Sequence, residues 1–71
     1  MGNIELEPMK LIFTLDNNFL KREVVDLDGN VIWESGNEPY CEIYGSVIID
    51  EYETQMMSTP YYNIIEVIKN I

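Results

Sequence analysis

At 71 residues the chain makes one domain near the lower size limit for folding without staples, and its 46% hydrophobic content separates it from a disordered tail. One cysteine and no histidine exclude an internal disulfide and argue against a structural zinc site. Thirteen acids against four bases give a formal charge of −9, which argues against direct nucleic-acid binding, because phosphate contacts need basic side chains.

A chain this short buries only about 60% of the surface its unfolded form exposes, so the core must be dense or a second copy must extend it. Cys41 reads as a small half-buried apolar residue. No apolar run approaches the roughly 18 residues of a membrane span. The start "MGNIELEPMK" lacks the basic and apolar regions of a signal peptide, so the expected location is the cytoplasm of a bacterial host. The absence of alanine, with abundant Ile, Asn, Glu and Tyr, suggests a low-GC genome such as that of a Firmicute or one of its phages.

Residues 1–8 read as a short arm ending at Pro8, residues 9–57 as a sheet and 59–71 as a helix. In "MKLIFTLD", Met9, Leu11, Phe13 and Leu15 alternate with Lys10, Ile12, Thr14 and Asp16, the period of a half-buried strand. Asn17-Asn18 tolerates positive φ and predicts a hairpin turn. "FLKREVVDL" resumes the alternation less cleanly, with Leu20, Arg22 and Val24 opposing Lys21, Glu23 and Val25. Asp28-Gly29 then predicts a type I′ hairpin, so the first three strands form an antiparallel meander. "SGNEP", residues 35–39, reads as a loop, and "YCEIYGSVII" as a fourth strand with Ile43, Val47 and Ile49 on one face and Gly45 at a bulge or close approach.

"VIIDEYETQMM", residues 47–57, fits two periods. Its β-branched and aromatic content favours a strand, while Ile48, Ile49, Tyr52 and Met56 match helical spacing. In "STPYYNIIEVIKNI", Ser58 or Thr59 can cap a helix with Pro60 at its first position, and Tyr61, Ile64, Ile65, Ile68 and Ile71 recur at helical spacing. The expected fold class is α+β, an antiparallel sheet of about four strands with one C-terminal amphipathic helix packed on one face.

Catalysis is hard to build from these residues. Three serines and one cysteine have no histidine to activate them. A carboxylate pair could act as acid and base, yet a domain of this size rarely encloses a substrate-burying cleft. No enzyme activity and no cofactor are expected. "DLDGN" puts Asp26, Asp28 and Asn30 at the first, third and fifth positions of a calcium loop, but Val31 stands at the sixth and Asn37 at the twelfth, so a hairpin turn is the better reading.

Charge asymmetry is the informative feature. No lysine or arginine lies between Glu23 and Ile68, a stretch that holds ten carboxylates. If these form a coherent patch, they can occupy phosphate positions in a basic groove. Asp50, Glu51 and Glu53 would supply the central charge and Glu34, Glu38 and Glu42 a second patch, with Tyr44, Tyr52 and Trp33 as apolar anchors. In size, charge and missing catalytic residues the chain resembles the small acidic inhibitors that phages and mobile elements use against host nucleic-acid enzymes and defence nucleases. That resemblance implies a basic, nucleic-acid-binding protein as partner. Three rival readings stand beside it. The acids can simply confer solubility; the Tyr and Met residues can build a homo-oligomer; or the tyrosines can stack on a small nucleotide, whose phosphates only Lys10, Lys21, Arg22 and Lys69 could meet.

Overall fold

The computed structural model describes residues 6–40, 45–59 and 61–71, with the backbone alone at 45 and 46. Alternation of apolar and polar residues builds its first two strands, β1 (Pro8–Asp16) and β2 (Phe19–Asp26). Leu11 and Phe13 of β1 and Leu20 and Val24 of β2 are fully buried, and the antiparallel register sets Leu11 opposite Val24 and Leu15 opposite Leu20. Between the strands Asn17 and Asn18 take φ of 49° and 66°, the left-handed pair that a two-residue primed turn requires.

β3 (Val31–Pro39) pairs antiparallel with β2 and completes the meander. Its hairpin differs from the type I′ turn predicted at Asp28-Gly29, because of those two residues only Gly29 has positive φ, at 89°. Asp26 organises a four-residue loop instead. Its Oδ1 accepts the N–H groups of Asp28 and Asn30, each at 2.9 Å, and its Oδ2 accepts Asn30 Nδ2 at 3.0 Å. A short acceptor side chain that satisfies local N–H groups stabilises such a loop over the tighter turn.

Residues 35–39, which read as a loop in the sequence, belong to β3. Lys21 pairs with Asn37 and Glu23 with Glu34, so Ser35 and Gly36 together oppose Arg22 in a β-bulge. Gly36 takes φ of 75°, and the Arg22 N–H donates to Ser35 Oγ at 3.0 Å. The hydroxyl therefore replaces the ladder bond that the bulge removes.

The second half of the chain departs furthest from expectation. α1 spans Gly45–Ser58, where β content favours a strand, and β4 spans Asn63–Asn70, where spacing predicts the C-terminal helix. The strand order is β3-β2-β1-β4, with β4 parallel to β1, so the sheet is mixed and its helix lies between strands in the chain. Two physical causes explain β4. Ile64, Ile65, Val67 and Ile68 are β-branched, which suits a pleated strand better than a helix. A bulge also lets Met9 pair with Ile64 but Lys10 with Glu66, so the core-facing residues Ile64 and Val67 are three apart, imitating a helical repeat.

Within α1, Ile49 and Met56 are buried, Ile48 and Tyr52 are half-buried against the same core, and Val47 is 59% exposed. That is a helical stripe, because in a strand Val47 and Ile49 would share a face. The predicted caps do other work: Ser58 ends α1 with its Oγ donating to the Gln55 carbonyl, and Thr59 Oγ1 accepts the Tyr61 N–H. Pro60 and the stretch 41–44 lie outside the described residues, as do residues 1–5 of the expected arm; Pro8 starts β1 and Gly45 starts α1. Among the described residues no helix is long and apolar enough to cross a membrane.

The result is two layers. α1 packs over one sheet face, onto Leu11, Phe13, Leu20 and Val24, with Trp33 and Val67 at the margins. The opposite face, carrying Ile12, Val25 and Ile68, has no described element packed on it. Truncating Ile49 to Ala should cost about 2–5 kcal/mol in urea unfolding, whereas Val47→Ala should stay within about 0.5 kcal/mol. Equal costs at the two positions would contradict the helix.

Candidate functional site

The scarcity of cations decides where uncompensated charge remains. Lys10 lies 3.9 Å from Glu66, Lys21 lies 3.6 Å from Glu23 and 3.5 Å from Glu34, and Lys69 lies 2.8 Å from Glu53. Arg22 Nη2 donates to Glu38 Oε1 at 2.6 Å. All four cations are thereby engaged with carboxylates of their own chain.

Arg22 is the unusual one, because alternation along β2 turns it toward the core, beside Phe13 on β1. Only 12% of its side chain is exposed. Its guanidinium carbon sits 3.7 Å from the centre of the Tyr52 ring and 5.5 Å from that of Trp33, so two aromatic faces and one carboxylate replace its water. Nε, buried, has no hydrogen-bond partner. Burial pushes the Glu38 carboxyl upward, but the hydrogen bonds of the Tyr52 hydroxyl and of Arg22, with the Arg22 charge, outweigh it and hold Glu38 below its ordinary range. The same hydrogen bond, then burial and the Glu38 charge, push the Tyr52 hydroxyl upward.

This clamp ties α1 to β2 and β3. It uses three of the residues singled out in the sequence, Glu38, Tyr52 and Trp33, as internal fastenings. Glu34 lies on the opposite sheet face with Glu23 and Lys21. Glu42 and Tyr44 lie outside the described residues. The acids among the described residues therefore occupy both sides of the sheet and do not gather in one patch.

What α1 leaves outward is a narrower surface. Val47, Asp50, Glu51, Thr54 and Gln55 recur at helical spacing along a shallow, open depression of about 420 Å³. Asp50 and Glu51 are exposed and form no ion pair among the described residues. Glu53 flanks them but holds Lys69. Its hydrogen bond, opposed by partial burial and reinforced by the charges of Glu53 and Asp50, raises the lysine above its ordinary value. A second shallow depression of about 410 Å³ is lined by Glu7, Pro8, Asp26, Leu27 and Asp28. There hydrogen bonds led by the Asn30 side chain hold Asp26 below its ordinary value, and its oxygens already serve the turn. No group of three or more Cys, Asp or Glu among the described residues is placed to hold a metal ion.

Sequence reasoning missed Arg22 as an organiser, although its place between Leu20 and Val24 in the alternation was a visible signal. It also missed Val47, Thr54 and Gln55, which share a face with Asp50 only if the segment is helical. Comparison with protein-family models, curated proteins and solved structures gave no match.

The clamp fixes two pH responses. Glu38, lowered below the ordinary 4.5, contributes stability that is complete above pH 4.5 and lost as pH falls through its folded-state value. Urea unfolding of the wild type should weaken more steeply in that acid range than unfolding of Glu38→Gln; parallel profiles would remove the clamp's role. Tyr52, raised above the ordinary 10.0, contributes stability below pH 10.0 that is lost as pH rises through its folded-state value. An ultraviolet titration should show a tyrosinate step above pH 10.0 that Tyr52→Phe abolishes.

Proposed function

We propose that the protein is a non-catalytic binding module that docks the exposed face of α1 on a basic surface of a nucleic-acid-handling protein and blocks it. The carrying observation is that Asp50 and Glu51 stay exposed and unpaired among the described residues while all four cations serve other carboxylates. A groove built to accept phosphates offers lysine and arginine side chains that accept carboxylates equally well. Val47, Thr54 and Gln55 give the same face apolar and hydrogen-bonding contact beside the charge.

In this reading Asp50 and Glu51 make the primary contact, and Glu53 joins by exchanging Lys69 for a cation of the partner. The Arg22 clamp sets the rotation of the helix. Glu38, Tyr52 and Trp33 therefore act as positioning residues, and Glu34 faces away from the partner. The setting that fits the charge and size is the cytoplasm of a bacterial host, with a nuclease or other nucleic-acid enzyme as the blocked protein.

Capture from a low-GC bacterial lysate, washed at low and high salt, should retain a nucleic-acid-binding protein that salt releases. Against that protein the double substitution Asp50→Lys/Glu51→Lys should weaken binding by about tenfold or more, while Glu34→Lys should change it by less than about twofold. Circular dichroism checks that both variants stay folded. Equal effects of the two variants, or none from either, would defeat the assignment to α1.

A further inference from the structure

We infer that the sheet face opposite α1 is a self-association surface, on which a second copy of this chain packs face to face. This inference is independent of the partner-binding role of α1 and concerns the other side of the molecule.

The register maps that face residue by residue. Val31 lies beside Val25, then Lys10 and Glu66; one step along, Glu34 lies beside Glu23, then Ile12 and Ile68. Val31 and Val25 on one side and Ile12 and Ile68 on the other form an apolar diagonal crossing all four strands. Lys10 with Glu66 flanks it on one side, Glu23 with Glu34 and Lys21 on the other. Val31 is 50% exposed, Ile12 and Ile68 keep a smaller exposed part, and Val25 between them is buried, with 7% exposed.

Charge selects the occupant. Among the described residues, Lys10 and Lys21 against Glu23, Glu34, Glu66 and Asp16 leave this face at −2, a small share of the chain's −9. A second copy meets little like-charge repulsion here and much more on the α1 side. A two-fold axis along the diagonal would lay apolar stripe on apolar stripe. It would also bring Lys10, only loosely paired with Glu66 at 3.9 Å, over Glu23 of the other copy, twice by symmetry.

Size agrees. Four strands about 4.8 Å apart and about eight residues long at about 3.3 Å per residue give a footprint of about 500 Å². Side-chain relief raises the accessible area toward the roughly 800 Å² per partner of a stable interface. Packing two such sheets is the standard way for a thin two-layer domain to enclose a second core.

Analytical ultracentrifugation of the full chain tests this. We expect a dimer whose dissociation constant falls as salt rises from about 0.05 M to about 0.5 M, because relief of the repulsion between two chains of charge −9 outweighs the weakening of the exposed pairs across the interface. That response is opposite in sign to the one expected for α1 on a basic partner. Val31→Lys and Ile68→Lys should each weaken the dimer by about tenfold or more, even though each lowers the net negative charge. Val31 is exposed enough that its substitution should leave the fold intact, which circular dichroism verifies. Glu51→Lys should leave the dimer in place. A monomer at both salt concentrations, or a dimer that neither Val31→Lys nor Ile68→Lys weakens, would overturn the inference.

Discussion

A guanidinium on the apolar face of a small sheet is the constraint from which much of this structure follows. Arg22 cannot remain charged beneath α1 without a carboxylate, and the nearest one in β3 is Glu38. An unbroken antiparallel register would turn Glu38 to the outer face, because Trp33, opposite Val24, already sets which residues of β3 point inward. The extra residue at Ser35–Gly36 reverses that parity and places Glu38 opposite Leu20, on the core side. Gly36, at φ 75°, makes the reversal sterically cheap.

The clamp also restricts the helix. Tyr52 must lie over Arg22 while Ile49 and Met56 fill the space above Leu11, Phe13 and Val24. Apolar contacts alone tolerate small rotations of a helix on a sheet. A ring stacked at 3.7 Å on a cation that is itself held at 2.6 Å does not. Fixing that rotation determines that Val47, Asp50, Glu51, Thr54 and Gln55 point outward. The exposed face of α1 is thus linked, through Tyr52 and Arg22, to a bulge on the far edge strand.

Legibility in the sequence followed regularity. β1 repeats with period two and β2 does so apart from Arg22 and Val25, so their extents to within a residue, the Asn17-Asn18 turn and the meander could be read directly. Each departure has a local cause. The bulge at Ser35–Gly36 looked like a loop because it combines turn residues with a broken alternation. The bulge at Ile65 converted a strand period into a helical one. In α1, Ile48, Ile49 and Tyr52 carry high strand preference, and only packing against the sheet outweighs it. For the site, Asp50 and Glu51 were visible as acids without neighbouring bases in the chain. Invisible were the long-range pairs, since Lys69 reaches Glu53 and Lys10 reaches Glu66 only after the sheet has assembled.

Those pairs give the acidity a meaning beyond the formal total. Solubility alone requires charge spread over the surface, and the acids of the outer sheet face and the hairpin loop provide that. Structural need alone requires a cation for each carboxylate held close to the core, and Lys69 and Arg22 answer Glu53 and Glu38 in that way. Asp50 and Glu51 meet neither description. They sit in mid-helix, away from the N-terminal turn where acids would favour the helix dipole, and they add repulsion beside Glu53. A cost of that kind, on a small domain with little stability to spare, is what favours the proposed binding role of this face over solubility alone.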